Sequence, residues 1–332
     1  MNKDFKICPR LEHFRRLETD GRYGVCGHMV SRNSFDTLEE LEDSKWLESL
    51  KQKMNNNIWP DECIRCQLTE QANGSSIRLN SIERDQILKN VRKDYLIIGG
   101  TLDNYCNSAC ISCNKNLSTR IGILEKDPII NDNYTQFTKI PQERIVELDI
   151  NGGEPSLSKN YKKVLANLSS YVKIVRVNTN GSRYIKELEL LLDKKIKVII
   201  TLSLDGIGQV HDYLRWPIKW VDYKKMVEQY CTLREENSLC SLDFWTTVSS
   251  LNINDLPNII EFANLMNIPH EYGILQTPDE MNIKYKNKFT NRAKNFFNEL
   301  DISVDVDNSD VLEKFLDKQD KIRNIKRQDY GY

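Results

Sequence analysis

The stretch that decides the fold is YLIIGGTLDNYCNSACISC, residues 95–113. It begins with an apolar run rich in isoleucine, which predicts a strand buried on both faces. It continues into a polar loop that carries Cys106, Cys110 and Cys113. In α/β folds the loops after the carboxyl ends of strands carry the chemistry. The stretch therefore predicts a thiol-based site at one edge of a parallel sheet.

Five further short strand candidates follow, the first three of them rich in Ile and Val: IVELDIN (145–151), VKIVRVN (172–178), IKVIITLSL (196–204), SLDFWTTV (241–248) and EYGIL (271–275). Amphipathic patterns predict helices at 159–168, 185–192, 223–235, 256–266 and 286–299. Alternating strands and helices predict an α/β protein with a parallel sheet and outer helices. We expect a partial (β/α)6 barrel of TIM-like type, about three-quarters of the eight-unit barrel. A doubly wound open sheet is the alternative.

Composition excludes several classes of protein. The formal net charge of the 332 residues is −1 with charges of both signs interspersed, so we expect no binding to nucleic acid. No apolar run approaches the length of a membrane span, and the first residues lack the apolar centre of a signal peptide. We therefore expect a cytoplasmic protein without membrane contact. The nine clustered cysteines favour metal binding or catalysis over disulfides.

The three cysteines of the loop are spaced so that their thiolates can converge. Three thiolates can hold three irons of a [4Fe–4S] cluster and leave the fourth iron open to a small molecule. A zinc knuckle, or three thiols gathered by chance, is the alternative interpretation of the cysteines taken alone.

A CxxxCxxC loop after the first strand of a six-unit barrel resembles the radical S-adenosylmethionine superfamily. The resemblance implies that the open iron binds the amino and carboxylate groups of S-adenosyl-L-methionine. An electron from the cluster would then cleave the sulfonium and give a 5′-deoxyadenosyl radical that abstracts hydrogen from the substrate. One position departs from the family: Ser112 stands where an aromatic residue usually precedes the last cysteine.

The motif NGGEP, residues 151–155, follows the second predicted strand. Two glycines allow close approach of the backbone to a ligand, and Glu154 offers an acceptor for an ammonium group. In the family this motif contacts the methionine amino group, and the resemblance carries that role to Gly152, Gly153 and Glu154. In isolation, such a string is more often a turn with a solvated glutamate.

Polar residues also end the next strands, in NTNGS (178–182), SLDG (203–206) and TTVSSLN (246–252). The resemblance implies contacts with the ribose hydroxyls and the carboxylate of the cofactor at the first two, and a weaker contact at the third. It places an isoleucine of the sixth strand against adenine. The residues assigned in this way are Asn180, Ser203, Asp205, Thr247 or Asn252, and Ile274.

Residues 1–93 have a different character, being loop-rich with one predicted helix at about 38–54. Four cysteines here, Cys8, Cys26, Cys63 and Cys66, are enough to close a metal site. Their pattern resembles the twitch domain, a shortened SPASM domain, which implies a second, auxiliary [4Fe–4S] cluster. A structural zinc site is the alternative. Twitch domains usually follow the barrel, whereas this segment precedes it.

The remaining candidates are interpreted as structural. Cys231 and Cys240 fall outside any ligand spacing and are expected to be buried free thiols. His13 and His28 lie near the cysteine segment and could tune a cluster, although surface histidines with satisfied partners are commoner. Trp216 and Trp220 flank the tripeptide after the fourth strand and are expected to pack, or at most to edge the site.

Three segments are predicted: a cysteine-rich twitch-like domain and linker (1–93), the barrel (94–280) and a helical extension packing on it (281–332). Asn254 is the expected cap of the helix at 256–266, with Pro257 in its first turn.

The resemblance implies oxidative modification of a substrate, with a closed auxiliary cluster accepting an electron. A peptide or protein side chain is the first expectation for that substrate, and oxidation of a small molecule or nucleoside is the second. The expected electron donor is a flavodoxin or ferredoxin. A non-catalytic, zinc-stapled binding module is the alternative from another class. The particular substrate, the oligomeric state and any residue that returns a hydrogen atom are not predicted.

Overall fold

The computed structural model describes residues 7–283 and 309–332. Eight strands form one sheet: β1 Phe14–Leu17, β2 Tyr23–Gly24, β3 Leu96–Thr101, β4 Ile145–Asn151, β5 Ile174–Thr179, β6 Lys197–Ser203, β7 Cys240–Val248 and β8 His270–Ile274. Their order across the sheet is β2-β1-β3-β4-β5-β6-β7-β8.

The helices before β4 are α1 Pro9–His13, α2 Leu38–Glu42, α3 Lys45–Asn55, α4 Ile64–Asn73, α5 Ile77–Leu88, α6 Thr119–Leu124 and α7 Tyr134–Thr138. Those after β4 are α8 Lys159–Ala166, α9 Glu187–Asp193, α10 Gln209–Leu214, α11 Trp220–Glu236, α12 Leu256–Leu265 and α13 Ser309–Arg323. Short 3₁₀ turns occupy Asp61–Cys63, Gln142–Arg144, Asp279–Met281 and Arg327–Tyr330.

All six predicted strands are confirmed, as β3 to β8, and each of β4 to β8 pairs in parallel with the strand before it in the chain. A doubly wound sheet reverses its strand order at a switch point. No reversal occurs between β3 and β8, so the strands progress in one direction, as they do in a (β/α) barrel. The fold is therefore α/β of the TIM-like partial-barrel type, and the doubly wound alternative is excluded.

The two faces of the sheet differ in polarity. Apolar side chains of β4, β5 and β6 pack with those of the outer helices into the main core, among them Leu148, Val177 and Ile200. Along β5 and β7 every second residue is instead more accessible. These two strands are therefore not buried on both faces, because the inner, concave face is partly open. Along each of these strands, side chains on the inner face alternate with side chains that point into the main core.

The amino-terminal segment extends the same sheet. β1 pairs in parallel with β3, and β2 pairs antiparallel with β1 at the edge. The backbone approach is close at Gly100, which has a φ of +98°, because a Cβ atom there would lie 2.1 Å from the Leu17 carbonyl oxygen. Glycine is thus required where the end of β1 pairs with the end of β3.

The description of residues 1–93 as loop-rich with one helix is wrong. The predicted helix at 38–54 is two helices, because a new N-cap intervenes: the Ser44 hydroxyl accepts a hydrogen bond from Leu47 N at 3.2 Å. The unpredicted helices α4 and α5 follow. Their hydrophobic periodicity is weak and α4 has no buried side chain among those described, so the pattern carries little signal.

The cap assignment at α12 also needs correction. The N-cap residue is Asp255, not Asn254, and no side-chain hydrogen bond caps the helix. The Asp255 carboxylate instead accepts a hydrogen bond from Ile207 N at 2.7 Å, which ties the helix start to the loop after β6. Pro257 lies in the first turn, as predicted.

The chain end packs against α10. The Tyr213 hydroxyl donates to the Asp320 carboxylate at 2.8 Å, and the Tyr332 hydroxyl donates to the Leu251 carbonyl at 3.1 Å. The predicted helix at 286–299 lies outside the described residues. Cys231 and Cys240 are buried free thiols, as expected. In the described part of the chain, no helix combines the length and the apolar run that crossing a bilayer requires.

Candidate active site

The three-cysteine loop follows β3 and is pinned from two sides. Ala109 N donates to the Trp216 carbonyl at 2.8 Å, and Ile111 N donates to the Leu214 carbonyl at 3.0 Å. On the other side, Cys106 N donates to the Thr119 hydroxyl at 3.2 Å. Backbone hydrogen bonds on both sides fix the loop without using the thiols, which leaves the thiols available as ligands.

The structure brings Cys106, Cys110 and Cys113 together. Cys110 is buried, and the other two are half-buried. Burial and the proximity of Cys110 raise the pKa of Cys106 to about 11. Burial, followed by the proximity of Cys110 and Cys106, raises the pKa of Cys113 to about 12. Metal ligation requires the thiolate, so a bound cation must overcome this penalty.

Arg215 supplies positive charge beside this loop, and sequence reasoning missed it. Its Nη1 atom donates to the Asp205 carboxylate at 2.7 Å, and the pair is almost fully enclosed. Burial raises the pKa of Cys110, and the nearby Arg215 guanidinium opposes that rise. The Arg215 Nε atom is buried and has no partner among the described residues. The only sequence signal was its position, ten residues after Asp205 and just before Trp216.

The Gly–Gly turn of NGGEP serves the chain itself. Gly152 has a φ of +147°, and a Cβ atom there would lie 2.3 Å from the Asp103 carbonyl oxygen. A Cβ atom at Gly153 would lie 2.2 Å from the Tyr105 carbonyl oxygen. The glycines therefore allow the turn to pack against the backbone that leads into Cys106. Their predicted contact with the cofactor stays a prediction.

Glu154 is buried at the end of β4, not solvated. Its carboxylate accepts hydrogen bonds from the Thr179 hydroxyl at 2.7 Å, Asn180 N at 2.7 Å and Ser156 N at 3.1 Å. Desolvation nevertheless raises its pKa. The Thr179 and Ser156 bonds go to Oε1 and the Asn180 bond goes to Oε2, so Oε2 retains acceptor capacity for a further donor such as an ammonium group.

Asn180 links the end of β5 to the cysteine loop. Its amide nitrogen lies 2.9 Å from the Ser108 hydroxyl, 3.0 Å from Asn107 Oδ1 and 3.8 Å from Cys106 Sγ. Asn180 thus positions the loop and donates toward a predicted ligand sulfur. Its predicted contact with the cofactor stays a prediction.

The other predicted cofactor residues fall into two groups. Asp205 accepts a hydrogen bond from Thr247 N at 2.9 Å, and the Asn252 amide donates to the Asp205 carbonyl at 2.9 Å. Half-buried Ser203 is the register partner of Trp245 in the neighbouring strand. Ile274, by contrast, packs beside a buried cluster at the start of α12. Its contact with adenine stays a prediction that this packing does not support.

The four amino-terminal cysteines, Cys8, Cys26, Cys63 and Cys66, line a single cavity. Burial raises the pKa of Cys8 and of Cys63 to about 12, and neighbouring thiols add to the rise. Their convergence fits a shared Cys₄ centre in its donor set.

Basic and aromatic side chains surround the same cavity. Arg10, His28, Trp59 and Arg78 line it, and the Arg78 guanidinium lies 4.9 Å from the centre of the Trp59 ring. His13 lies apart, stacked on Tyr95 with ring centres 4.0 Å apart. Only His28 of the two histidines is therefore placed to influence a centre in this cavity.

Among residues 7–283 and 309–332, no group of three or more His, Cys, Asp or Glu side chains is placed to hold a single metal ion. An iron–sulfur cluster is a larger body, and its thiolate ligands stand further apart than those of one ion. The donor sets of the two sites, three thiols and four thiols, fit an open and a closed [4Fe–4S] cluster.

Two features of this edge of the sheet agree with the motifs identified in the sequence. A three-cysteine loop follows the first core strand, and Glu154, Asn180 and Asp205 end the next three strands at the same edge of the sheet. Both features resemble those of the radical S-adenosylmethionine superfamily.

Comparison with known proteins gives one curated relative, the sporulation killing factor maturation protein SkfB of Bacillus subtilis (strain 168). The identity is 25% over 170 residues, which cover 50% of this chain and 40% of SkfB. The match therefore spans less than half the length of that relative. No protein-family model matches the chain.

Two solved structures of SuiB from Streptococcus suis also match, each with 12% sequence identity. The complex with S-adenosylmethionine has a TM-score of 0.45 and covers 87% of this chain and 69% of SuiB. The complex with the precursor peptide SuiA has a TM-score of 0.42 and covers 89% and 71%.

Proposed function

We propose that this protein cleaves S-adenosyl-L-methionine reductively and uses the resulting radical to oxidise a peptide side chain. The observation that carries the proposal is the enclosure of Cys106, Cys110 and Cys113 beside Glu154, Asn180 and the Asp205–Arg215 pair. A [4Fe–4S] cluster held by these three thiolates would supply the electron that cleaves the sulfonium to methionine and a 5′-deoxyadenosyl radical.

The residues of the chain hold and orient the reactants. Cys106, Cys110 and Cys113 are the proposed iron ligands. Glu154 keeps acceptor capacity for the ammonium group of methionine, as its three hydrogen bonds leave room on one oxygen. Arg215 places a buried positive charge where thiolates and a carboxylate would otherwise repel each other.

The remaining proposed cofactor contacts complete the same edge of the sheet. They are Gly152, Gly153, Asn180, Ser203, Asp205 and Thr247.

The amino-terminal Cys₄ cavity is proposed to hold an auxiliary [4Fe–4S] cluster that accepts an electron from the substrate radical. Four thiols around one cavity leave no open ligand position, which suits electron transfer better than substrate activation. Zinc is the alternative occupant, and metal content distinguishes the two. A flavodoxin or ferredoxin is the proposed donor of the initiating electron.

The peptide substrate is supported by the name of the matched relative, since SkfB is a maturation protein of a sporulation killing factor. The match covers only 50% of this chain. Oxidation of a small molecule or nucleoside is the alternative, and it predicts release of 5′-deoxyadenosine that depends on a metabolite rather than on a peptide.

The test is anaerobic reconstitution followed by measurement of 5′-deoxyadenosine under strong reductant. Cys110→Ala is expected to abolish the release, because losing one of three ligands destabilises the whole cluster. Cys231→Ala, which removes a buried thiol outside both sites, is the matched control and is expected to retain it. Equal release from Cys110→Ala and the wild type would contradict the proposal.

A further inference from the structure

Trp245 lies on the concave face of the sheet near the predicted cofactor end. It is the register partner of Ser203 on β6 and of Glu271 on β8. Although tryptophan is usually well buried, 39% of Trp245 is exposed. An exposed aromatic side chain thus lies beside Ser203, a residue that we propose to contact the cofactor.

Gly273 on β8 lets the indole of Trp245 lie against the sheet. A Cβ atom at Gly273 would stand 2.9 Å from Cζ2 and 3.3 Å from Cη2 of Trp245. The 2.9 Å contact is shorter than real Cβ contacts, so a larger residue at this position would require the ring to shift. The glycine therefore leaves room for the Cζ2–Cη2 edge of the indole, while 39% of Trp245 stays exposed.

Two residues with carboxylates share the face of the sheet that carries Trp245. Asp243 precedes Trp245 by two residues and so shares its face of β7, and Glu271 is exposed opposite it on β8. In the described part of the chain, neither carboxylate accepts a hydrogen bond or forms an ion pair within 4 Å. Arg176 and Lys197 act on Asp243 from further away, and Arg176 is already bound to Glu147 at 2.9 Å.

We infer that Trp245, Asp243 and Glu271 bind a cationic side chain, lysine or arginine, of the peptide substrate. The inference rests on the proposed function, since it names a feature of that same substrate. A cation over the face of an indole is attracted by the ring quadrupole, and this attraction is larger for tryptophan than for the other aromatic residues. The two carboxylates add charge complementarity, and a neutral side chain gains neither term.

The test compares two peptides that differ in one charge, acetyl-Gly-Lys-Gly-amide and acetyl-Gly-norleucine-Gly-amide. Their binding to the reconstituted wild type with S-adenosylmethionine is measured by NMR titration of the peptide. The lysine peptide is expected to bind about tenfold more tightly, from the sum of one cation–π contact and partly exposed ion pairs. Trp245→Leu is expected to remove most of that preference, and Trp245→Phe to retain part of it.

Charge variants distinguish binding at Trp245, Asp243 and Glu271 from a general attraction of cations to the acidic surface. Glu271→Gln is expected to reduce the preference about threefold, the size of one exposed ion pair. Glu228→Gln, on the exposed side of α11, is the matched control and is expected to leave it unchanged. Equal affinity of the wild type for the two peptides overturns the inference, as does an undiminished preference in both Trp245→Leu and Glu271→Gln.

This outcome is separable from failure of the proposed function. Release of 5′-deoxyadenosine by the wild type without peptide tests the radical chemistry alone. Release without any lysine preference overturns only the inference about Trp245. Absence of release under reconstituted, reducing conditions overturns the proposed function, whatever the peptides show.

Discussion

Glu154 is enclosed at the end of β4, where its carboxylate accepts three hydrogen bonds. Glu154→Ala leaves the Asn180 N–H and the Thr179 hydroxyl without an acceptor. We expect it to lower the free energy of unfolding by about 1–3 kcal/mol, the cost of buried unsatisfied donors. We also expect weaker binding of S-adenosylmethionine with unchanged iron content. Urea unfolding and equilibrium dialysis measure the two effects, and wild-type affinity in the variant would contradict the cofactor role.

His211 is fully buried between the rings of Trp220 and Tyr223. Burial, followed by the nearby Arg215, lowers its pKa to about 3. Below about pH 6.5 His211 is protonated in the unfolded chain but stays neutral in the folded chain. The free energy of unfolding therefore falls as the pH falls. We expect this residue to contribute a slope of up to about 1.4 kcal/mol per pH unit below that value.

The measurement for His211 is the free energy of unfolding between pH 7.5 and 5.5 for the wild type and His211→Phe. The other described histidines remain in both proteins, so the difference in slope isolates this site. The wild type should lose more stability than the variant as the pH falls. An equal pH dependence of the free energy of unfolding in the two proteins would show that the fold does not lower the pKa of His211.

At the scale of elements, β1 is held to β3 by close backbone contact at Gly100. Gly100→Ala combines strain at positive φ with a Cβ atom 2.1 Å from the Leu17 carbonyl oxygen. Gly74→Ala is a matched control, because Gly74 also has a positive φ, +70°, but a Cβ atom there would meet nothing within 4 Å. We expect about 1 kcal/mol of destabilisation for Gly74→Ala, the cost of the strained backbone alone, and clearly more for Gly100→Ala.

Hydrogen exchange at Leu17 and Ile97 locates the damage in Gly100→Ala. Loss of protection at both would show that β1 has left the sheet. Equal destabilisation by the two alanine substitutions would mean that the contact between Gly100 and Leu17 tolerates a side chain.

At the scale of the whole molecule, two cysteine sites share one sheet, with the amino-terminal site attached through β1 to the strand that leads into the other. The triple variant Cys106/Cys110/Cys113→Ala, reconstituted anaerobically, should retain about four irons with matching sulfide in the Cys₄ cavity. About one zinc and no iron would identify a structural zinc site instead. Metal and sulfide analysis per chain decides between them.

The electron-accepting role of that cavity has a separate test. Cys63→Ala should still release 5′-deoxyadenosine without forming product, because the radical is generated at the other site. Full product formation by this variant would exclude electron transfer through the amino-terminal centre.

Sequence alone determined the core of the fold and the position of the first site. Short apolar runs separated by polar loops identified β3 to β8, since a run of buried residues is a local property of the sequence. The spacing of Cys106, Cys110 and Cys113 and the order of the motifs after successive strands indicated a resemblance to the radical S-adenosylmethionine superfamily. Each of these features is local in the chain, so a single sequence carries it.

Only the tertiary structure decided how the remaining residues are used. β1 is short and has two arginines, and its pairing with β3, 83 residues further along the chain, makes it a strand. The glycines of NGGEP pack on the backbone before Cys106, Arg215 joins Asp205, and the indole of Trp245 lies over Gly273. These contacts join segments distant in the chain, and burial and hydrogen bonding between such segments leave no periodic trace in the sequence.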